Sequence, residues 1–354
     1  MRELLSKRTT TIEPLMRAGA LVLLLSLAFG ASALAALTND SRVVIIHDPL
    51  ATDAFRPTLP RVESMVDRGL RAWTGKTTAR EAWLSLLSTQ DIVGLKVYSA
   101  PGLAGSRVEV AEALAKSLLA AGFPPSHVAI WDKLETDLQS SGFTAMGRRL
   151  GIRVLSSHEI GYDERIAYTN YYLGRLAWTD KEFGKSGDDV GKRSFFSKIV
   201  TKEVTKIINL APLSNHYRAG VTGCLFSLSM GSVDNTQRFE MSAENLSAAV
   251  PEIYAQDPLF DKIILNVVDA LLAQYQGESH TYLHYTRPLN ELRFSNDPLA
   301  LDTLSLAELE SLRKSYAVAT PTNALASIQK LYRDNAPLME LGQSEFSRIR
   351  VERR

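Results

Sequence analysis

Residues 206–235 read KIINLAPLSNHYRAGVTGCLFSLSMGSVDN, and this stretch decides the fold class. Its apolar start predicts a buried strand, and Pro212 predicts the end of that strand. A polar loop with His216 follows, and Gly220 and Gly223 then precede a segment rich in small residues. Strand, loop and helix start in this order are typical of an α/β protein, in which ligands bind beyond the carboxyl ends of parallel strands. We therefore expect the functional site beside this loop.

Apolar runs and helical segments alternate on both sides of this stretch. The predicted strands cover residues 42–47, 91–97, 127–131, 152–155, 206–212, 262–268, 291–294 and 348–351. The predicted helices cover residues 59–73, 78–87, 108–122, 135–141 and 324–332, and one more begins at 296–298. This alternation predicts an α/β fold with a doubly wound, mostly parallel sheet and helices on both faces.

The alternation stops between residues 156 and 197, where Tyr, Gly, Asp and Lys are frequent. We therefore expect residues 36–354 to form a single α/β domain with an irregular insertion at 156–197. Two α/β lobes that meet near this insertion are the alternative.

The N-terminus has the pattern of an export signal. Arg8 and Arg17 are among the basic residues that precede an apolar run at residues 18–36, and Ala35 ends an A-x-A cleavage site. The run is also long enough to span a bilayer. Residues 1–35 are therefore predicted to be a signal peptide or an N-terminal membrane anchor. We expect an exported protein, periplasmic or extracellular, that contacts a membrane only through residues 18–36 if that segment is not cleaved.

Charge and cysteine content exclude several classes of partner and cofactor. The formal net charge is +1, which gives no electrostatic basis for binding nucleic acid. Cys224 is the single cysteine. We therefore expect no intrachain disulfide and no cysteine-ligated iron–sulfur cluster.

Polar residues at the ends of predicted strands are the candidates for chemistry. Lys96 either reaches the rim of the sheet with its charged head or serves as a catalytic acid–base or charge-stabilising group. Asp132 follows the next strand and is either a helix cap or a ligand. Asp269 ends the strand at 262–268 and has no obvious helix to cap. His216 lies among polar loop residues and is a second catalytic candidate.

Two more carboxylates belong to the predicted helix after residue 296. Asp297 either caps this helix or lines the site, and Asp302 lies one turn further on. Oxygen and imidazole ligands suit magnesium, manganese or zinc, so a divalent metal is one candidate cofactor. Asp132, Asp269 and Asp297 are its predicted ligands.

Seven short motifs occur in order along the chain. They are VGLKV (93–97), AIWD (129–132), Asn209 to His216, GVTG (220–223), VDAL (268–271), QYxG (274–277) and DPxAxD (297–302). Together they resemble the domain-of-unknown-function family 362 over about residues 40–315. The resemblance implies an α/β fold and no settled reaction. From these motifs we expect Asn209, Gly220, Gly223 and Gln274 to bind ligand.

The chain departs from the usual motifs of that family at four positions. Tyr98 and Ser227 stand where relatives usually have asparagine, and Ser214 and Phe226 stand where they usually have lysine. We expect Ser214, Phe226 and Ser227 to line the crevice, which would make it less positive and more apolar than in relatives.

Two functions follow from these residues. One is an enzyme of unknown reaction whose crevice binds a small polar or anionic ligand, with or without a divalent metal. The other is a non-catalytic exported binding or scaffold protein that has lost the lysines of the family's site.

Overall fold

The computed structural model describes residues 40–185, 187–277, 282–320, 325 and 328–354. The strands are β1 (Ser41–His47), β2 (Thr52–Asp53), β3 (Arg56–Pro57), β4 (Val93–Val97), β5 (Val128–Asp132), β6 (Arg153–Ser156), β7 (Tyr162–Arg175), β8 (Val190–Ser197), β9 (Lys206–His216), β10 (Gly220–Val221), β11 (Ile263–Gln274), β12 (Thr286–Ser295) and β13 (Ile349–Arg353). The predicted signal peptide or anchor, residues 1–35, lies outside the described residues.

The α-helices lie between these strands. They are α1 (Leu59–Thr74), α2 (Ala79–Leu86), α3 (Val108–Ala120), α4 (Glu135–Ser140), α5 (Phe143–Leu150), α6 (Ser157–Ile160), α7 (Cys224–Ser232), α8 (Gln237–Glu240), α9 (Ala243–Tyr254), α10 (Asp257–Phe260), α11 (Pro298–Ser315) and α12 (Ala336–Leu338). Ile199–Glu203 and Ile328–Asn335 are π-helical turns. The second turn overlaps the predicted helix at 324–332, which falls partly outside the described residues.

One large sheet organises the fold, in the order β13-β1-β12-β11-β9-β4-β5-β6. The block from β11 to β6 is parallel throughout, and β13 pairs parallel with β1. Strand β12 is antiparallel to both of its neighbours. The prediction of a mostly parallel α/β sheet is therefore confirmed, with one strand of this path reversed.

The sheet carries a hydrophobic core on each face because its central strands are buried on both sides. Strands β4 and β5 are buried at every position. One core contains residues of α1, α3 and α5, and the other contains residues of α7, α9 and α11. Ser41–Arg354 forms one compact unit.

The strand at the centre of the sheet is longer than its sequence predicts. Strand β9 continues past Pro212 to His216. Proline has no N–H for the ladder, and the β9–β11 register is irregular where it resumes, between the pairs Asp269↔Pro212 and Gln274↔Ser214. The sequence therefore placed two strand ends wrongly, because a bulge absorbs the proline and β11 continues past Asp269.

The segment at 156–197 combines regular elements with an irregular loop at residues 176–185 and 187–189. After α6, strands β7 and β8 form a two-stranded antiparallel ribbon. Arg238 is buried and ties this ribbon to α8. Its guanidinium donates to the carbonyl oxygens of Tyr168, Tyr172 and Lys192. The alternation of apolar and polar residues did not predict this ribbon, because one of the side chains that packs against it is the polar Arg238.

Within the described part of the chain, no helix is both long enough and apolar enough to cross a membrane.

Candidate functional site

A cavity of about 300 Å³ opens at the carboxyl ends of three neighbouring parallel strands. Tyr98 follows β4, Asp132 ends β5 and His216 ends β9, and all three line the cavity. Helix α7 supplies another wall through Phe226 and Ser227. The cavity therefore lies where ligands bind in open parallel sheets.

An ion pair between β4 and β5 joins Lys96, behind the cavity wall, to Asp132, which lines the cavity. Lys96 Nζ lies 2.9 Å from Asp132 Oδ1, and Lys96 is 0% exposed. Lys96 and Trp131 are register partners, and the ammonium lies 5.7 Å from the centre of the Trp131 ring. Strand alternation explains the direction of the side chain, because Leu95 and Val97 pack into the core on the opposite face.

Three acceptors surround the ammonium of Lys96. Besides Asp132, it donates to the carbonyl of Val97 at 2.6 Å and to Ser227 Oγ at 3.4 Å. Burial lowers the pKa of Lys96, and the charge of Asp132 opposes that shift. Lys96 itself does not line the cavity. The predicted catalytic lysine is thus at the site, but as a group that positions Asp132.

Asp132 is held in one orientation by donors on both oxygens. Its Oδ2 accepts hydrogen bonds of 2.7 Å from both the backbone N–H and the hydroxyl of Ser99. Lys96 takes its Oδ1. Because Asp132 also lines the cavity, it presents a fixed negative acceptor to whatever enters.

His216 lines the cavity as a neutral imidazole. Its Nδ1 accepts from the backbone N–H groups of Ala219 at 2.9 Å and Arg218 at 3.3 Å, so Nε2 carries the proton. Burial and the charge of Arg218 lower the pKa of His216 to about 4. The ring packs 4.3 Å from Phe226 between centroids. His216 therefore offers one hydrogen-bond donor and no charge at neutral pH.

Sequence reasoning missed two more carboxylates of this cavity. Asp137 in α4 and Glu240 in α8 both line it, together with Lys133. Burial, followed by the negative charge of Asp132, raises the pKa of Asp137. Both residues lie on short helices, and nothing in the sequence around them distinguishes them from acidic residues on the protein surface.

Asp269 lies on the other side of the sheet. Its Oδ2 accepts from the backbone N–H of Arg107 at 2.7 Å, directly before α3, and its Oδ1 accepts from Leu271 N–H at 3.2 Å. Helix α3 packs on the face opposite to α7, which holds Ser227 against Lys96. Burial raises the pKa of Asp269. Asp269 fixes the start of a helix and does not join the cavity.

Asp297 and Asp302 also hold backbone. Asp297 caps α11 by accepting from Ala300 N–H at 2.7 Å, and its second oxygen accepts from Gln343 N–H at 2.9 Å. Asp302 accepts from Cys224 N–H at 2.6 Å and Leu225 N–H at 3.0 Å, at the start of α7. The helix-cap alternative therefore describes Asp297, and Asp302 caps a different helix from its own.

The residues predicted to bind ligand from the family motifs have structural partners. Asn209 is 0% exposed and donates to Cys224 O at 3.0 Å and Asn266 Oδ1 at 2.9 Å. Gln274 is also fully buried, and its Oε1 accepts from Tyr282 N–H at 3.3 Å. None of the four residues lines the cavity.

The two glycines answer steric needs. Gly223 precedes α7, where a Cβ atom would overlap the Asp302 carboxylate. Gly220 has φ +85°, in the turn that pairs it with His216. Both make room for packing and for backbone rather than for a ligand.

The three aspartates predicted as metal ligands do not converge. Asp132, Asp269 and Asp297 each have their own backbone or ammonium partners. Over the described ranges there is no group of three or more His, Cys, Asp or Glu residues placed to hold a metal ion. A shared metal site of these three residues is therefore not formed.

The positions that depart from the family motifs mostly meet at this cavity. Tyr98, Phe226 and Ser227 line it, whereas Ser214 is 1% exposed within β9 and is not part of the lining. The expectation for Phe226 and Ser227 thus agrees with the geometry, and the expectation for Ser214 does not.

Residues 97–307 match the family model described as a domain of unknown function, DUF362. The chain belongs to this family. The sequence resemblance to DUF362 is therefore confirmed, and the match includes all of the residues that line the cavity.

Comparison with solved structures finds a crystal structure of a protein from Thermotoga maritima. The two are 13% identical with a TM-score of 0.29, and the similarity covers 60% of this DUF362 chain and 50% of the other. This chain therefore spans about half the length of that protein. A comparison with curated proteins finds no match.

Proposed function

We propose that this protein binds a small polar molecule in the cavity at the ends of β4, β5 and β9. The observation that carries the proposal is the convergence of Asp132, His216 and Tyr98 from three different strands on one cavity. Asp132 supplies a fixed acceptor, and neutral His216 supplies a donor. A concave site with a few oriented polar groups among aromatic side chains is the usual form of a small-molecule site.

The geometry supports binding better than proton transfer by the two predicted catalytic residues. A general acid or base works best when its pKa lies near the operating pH. The pKa of His216 is lowered to about 4, so at neutral pH its ring is neutral and does not readily take up a second proton. Lys96 already has three acceptors and no access to the cavity.

An enzyme is the second candidate, and one observation favours it. A neutral imidazole that donates from Nε2 can polarise a carbonyl, and Asp132 is a carboxylate in the same cavity that could accept a proton. This pairing suits proton abstraction next to a carbonyl group. Lys96 would then act by holding Asp132.

We propose binding without a metal, because the three aspartates predicted as metal ligands lie apart and have separate partners. Metal analysis of protein purified without chelator tests this part. We expect less than stoichiometric divalent metal and no thermal shift when divalent ions are added. Stoichiometric metal would contradict it.

The binding proposal is tested with a cavity-filling variant. A thermal-shift screen of small polar metabolites first identifies ligands. Ala100 lines the cavity next to Tyr98, so Ala100→Trp then fills part of the cavity. The matched control is Lys76→Trp, at an exposed position between α1 and α2 that does not line this cavity. Ligands should lose binding to Ala100→Trp and keep it with Lys76→Trp. Ligands that bind both variants equally would place the binding site elsewhere.

We also propose that the protein is exported, since basic residues precede the apolar run at 18–36. N-terminal sequencing of the protein from its native host distinguishes the two forms. A chain that starts at Ala36 indicates a cleaved signal, and an intact chain in the membrane fraction indicates an anchor. An intact chain in the soluble cytoplasmic fraction would contradict export.

A further inference from the structure

The charges that line the cavity do not balance. Asp132 is neutralised by Lys96, so the remaining lining charges are Lys133, Asp137 and Glu240. The ammonium of Lys133 donates a hydrogen bond of 3.0 Å to Thr236 Oγ1. His216 is neutral at pH 7 because its pKa is lowered to about 4. Among the residues that line the cavity, one cation therefore faces two carboxylates, an excess of negative charge. Arg218 lies 4.1 Å from the centre of the Tyr217 ring and is not part of the lining.

The three carboxylates of the cavity all influence the hydroxyl of one lining residue, Tyr98. Burial raises the pKa of the Tyr98 hydroxyl, and the charges of Asp132, Glu240 and Asp137 raise it further, in that order. One hydroxyl thus experiences all three acids at once. Negative potential is concentrated where low-dielectric walls surround the charges, which favours a cation there.

Aromatic side chains form the other part of the lining. Tyr98, Tyr217 and Phe226 all border the cavity, and Met230 adds an apolar contact. Aromatic rings attract cations through their electron-rich faces, and they stack on the apolar parts of a ligand. Acidic and aromatic groups together suit a cation that also carries carbon.

Size argues for an organic cation rather than a bare metal ion. The cavity measures about 300 Å³, within the range of small-molecule pockets. In the chain as described, its acidic groups are not gathered into a set that could coordinate one metal ion. Charges spread around a wide cavity match a larger cation.

We propose that the cavity binds an organic cation, with an ammonium group held between Asp137 and Glu240 and its carbon skeleton against Tyr98, Tyr217 and Phe226. This inference rests on the proposed function and names the ligand class of the same site. It replaces the anionic ligand of the sequence-based expectation with a cationic one.

The first test separates charge from shape. Choline is compared with its neutral isostere 3,3-dimethylbutan-1-ol, ethanolamine and agmatine serve as primary-amine probes, and acetate and inorganic phosphate serve as anions. Calorimetry should show binding for at least one of the cations, little for the isostere and none for the anions. Equal binding of choline and its isostere, binding of phosphate in the cavity, or failure of every cation at millimolar concentration would overturn the proposal.

The second test removes the charges one at a time. Asp137→Asn and Glu240→Gln keep the shape of each side chain, and we expect each to weaken cation binding about tenfold or more. Asp67→Asn is the matched control, because this partly exposed acid lies on α1, which contributes no residue to the cavity lining. Unchanged affinity in both cavity variants would contradict the ammonium position.

Failure of this inference differs from failure of the binding proposal. If Ala100→Trp abolishes binding of a neutral or anionic ligand, the cavity is a binding site and the cationic assignment is wrong. If every ligand found binds Ala100→Trp as well as the unaltered protein, the cavity is not the site and both proposals fall.

Cation affinity should also depend on pH. Burial raises the pKa of Asp137 above its ordinary value, so this carboxylate loses its charge at a higher pH than a solvated aspartate. Affinity should therefore fall as the pH drops through that raised pKa, and Asp137→Asn should remove this part of the dependence. Affinity that rises as the pH falls would overturn the inference.

Discussion

At the ends of β4 and β5, the buried carboxylate of Asp132 is paired with an ammonium, and it faces a cavity. Beneath the starts of α7 and α11, Asp302 and Asp297 accept hydrogen bonds from backbone N–H groups instead. Both regions bury negative charge, and the two compensate it differently.

These two kinds of compensation distinguish a carboxylate that lines the cavity from one that holds backbone in this fold. Burial raises the pKa of Asp302 to about 7 and also raises that of Asp297. Backbone N–H groups orient these carboxylates, but they do not supply a full positive charge. Asp132 has a full counter-charge and an open side. An ion pair beside a cavity therefore distinguishes the proposed site here, whereas the buried acids at helix starts hold backbone.

The largest expected effect comes from breaking the ion pair. Lys96→Met leaves Asp132 without its counter-charge, and the free energy of unfolding should fall by about 3–5 kcal/mol. Chemical denaturation measures it. The control is Arg71→Met, which breaks the exposed pair with Asp67 and should cost at most about 1 kcal/mol. Similar losses in the two variants would mean that the buried Lys96–Asp132 pair contributes no more to stability than the exposed Arg71–Asp67 pair.

Two glycine variants compare the regions directly. Gly231→Ala would push a methyl group into the Lys96 side chain, and Gly223→Ala would push one into the Asp302 carboxylate. Overpacking of this kind costs about 1–3 kcal/mol, so both should lower the melting temperature. Only Gly231→Ala should also weaken ligand binding, because it displaces the cavity's ion pair. Loss of binding in Gly223→Ala at equal stability would show that the regions are coupled.

The pH dependence of stability should carry the signature of Asp302. Its folded pKa of about 7 lies above the value of an unfolded aspartate, so the unfolded chain releases this proton first as the pH rises. The stability that Asp302 contributes is therefore complete below about pH 4 and is lost as the pH rises towards 7. Asp302→Asn removes this proton, and the slopes of the two proteins should differ by about 1.4 kcal/mol per pH unit in that window. Parallel curves from denaturation at pH 4 to 7 would contradict the raised pKa.

The smallest effect on stability is expected at the rim of the cavity. Asp137 and Glu240 are partly exposed, whereas Asp302 is fully buried. Asp137→Asn and Glu240→Gln should change the free energy of unfolding by no more than about 0.5 kcal/mol. A loss above about 2 kcal/mol would place these acids with the structural carboxylates.

Much of the fold follows from the sequence by itself. Short apolar runs and helical periodicity located the central strands β4 and β5 and the helices beside them, because burial on both faces demands a continuous apolar run. The same reasoning placed Lys96 and Asp132 at strand ends and His216 in the polar loop after the strand that begins at Lys206. In the parallel block from β11 to β6, strand ends share one edge of the sheet, so three residues far apart in sequence were expected together.

Tertiary packing, rather than sequence pattern, determines which carboxylates line the cavity. The partner of Asp269 is Arg107, 162 residues earlier, and the partners of Asp302 are 77 and 78 residues earlier. Sequence spacing carries no information about such hydrogen bonds, because they depend on which face of the sheet each helix covers. For the same reason, Asp137 and Glu240 read as surface acids until α4 and α8 meet at one cavity. The sequence alone determined where the central strands lie, and packing determined where β9 and β11 end and what each strand end faces.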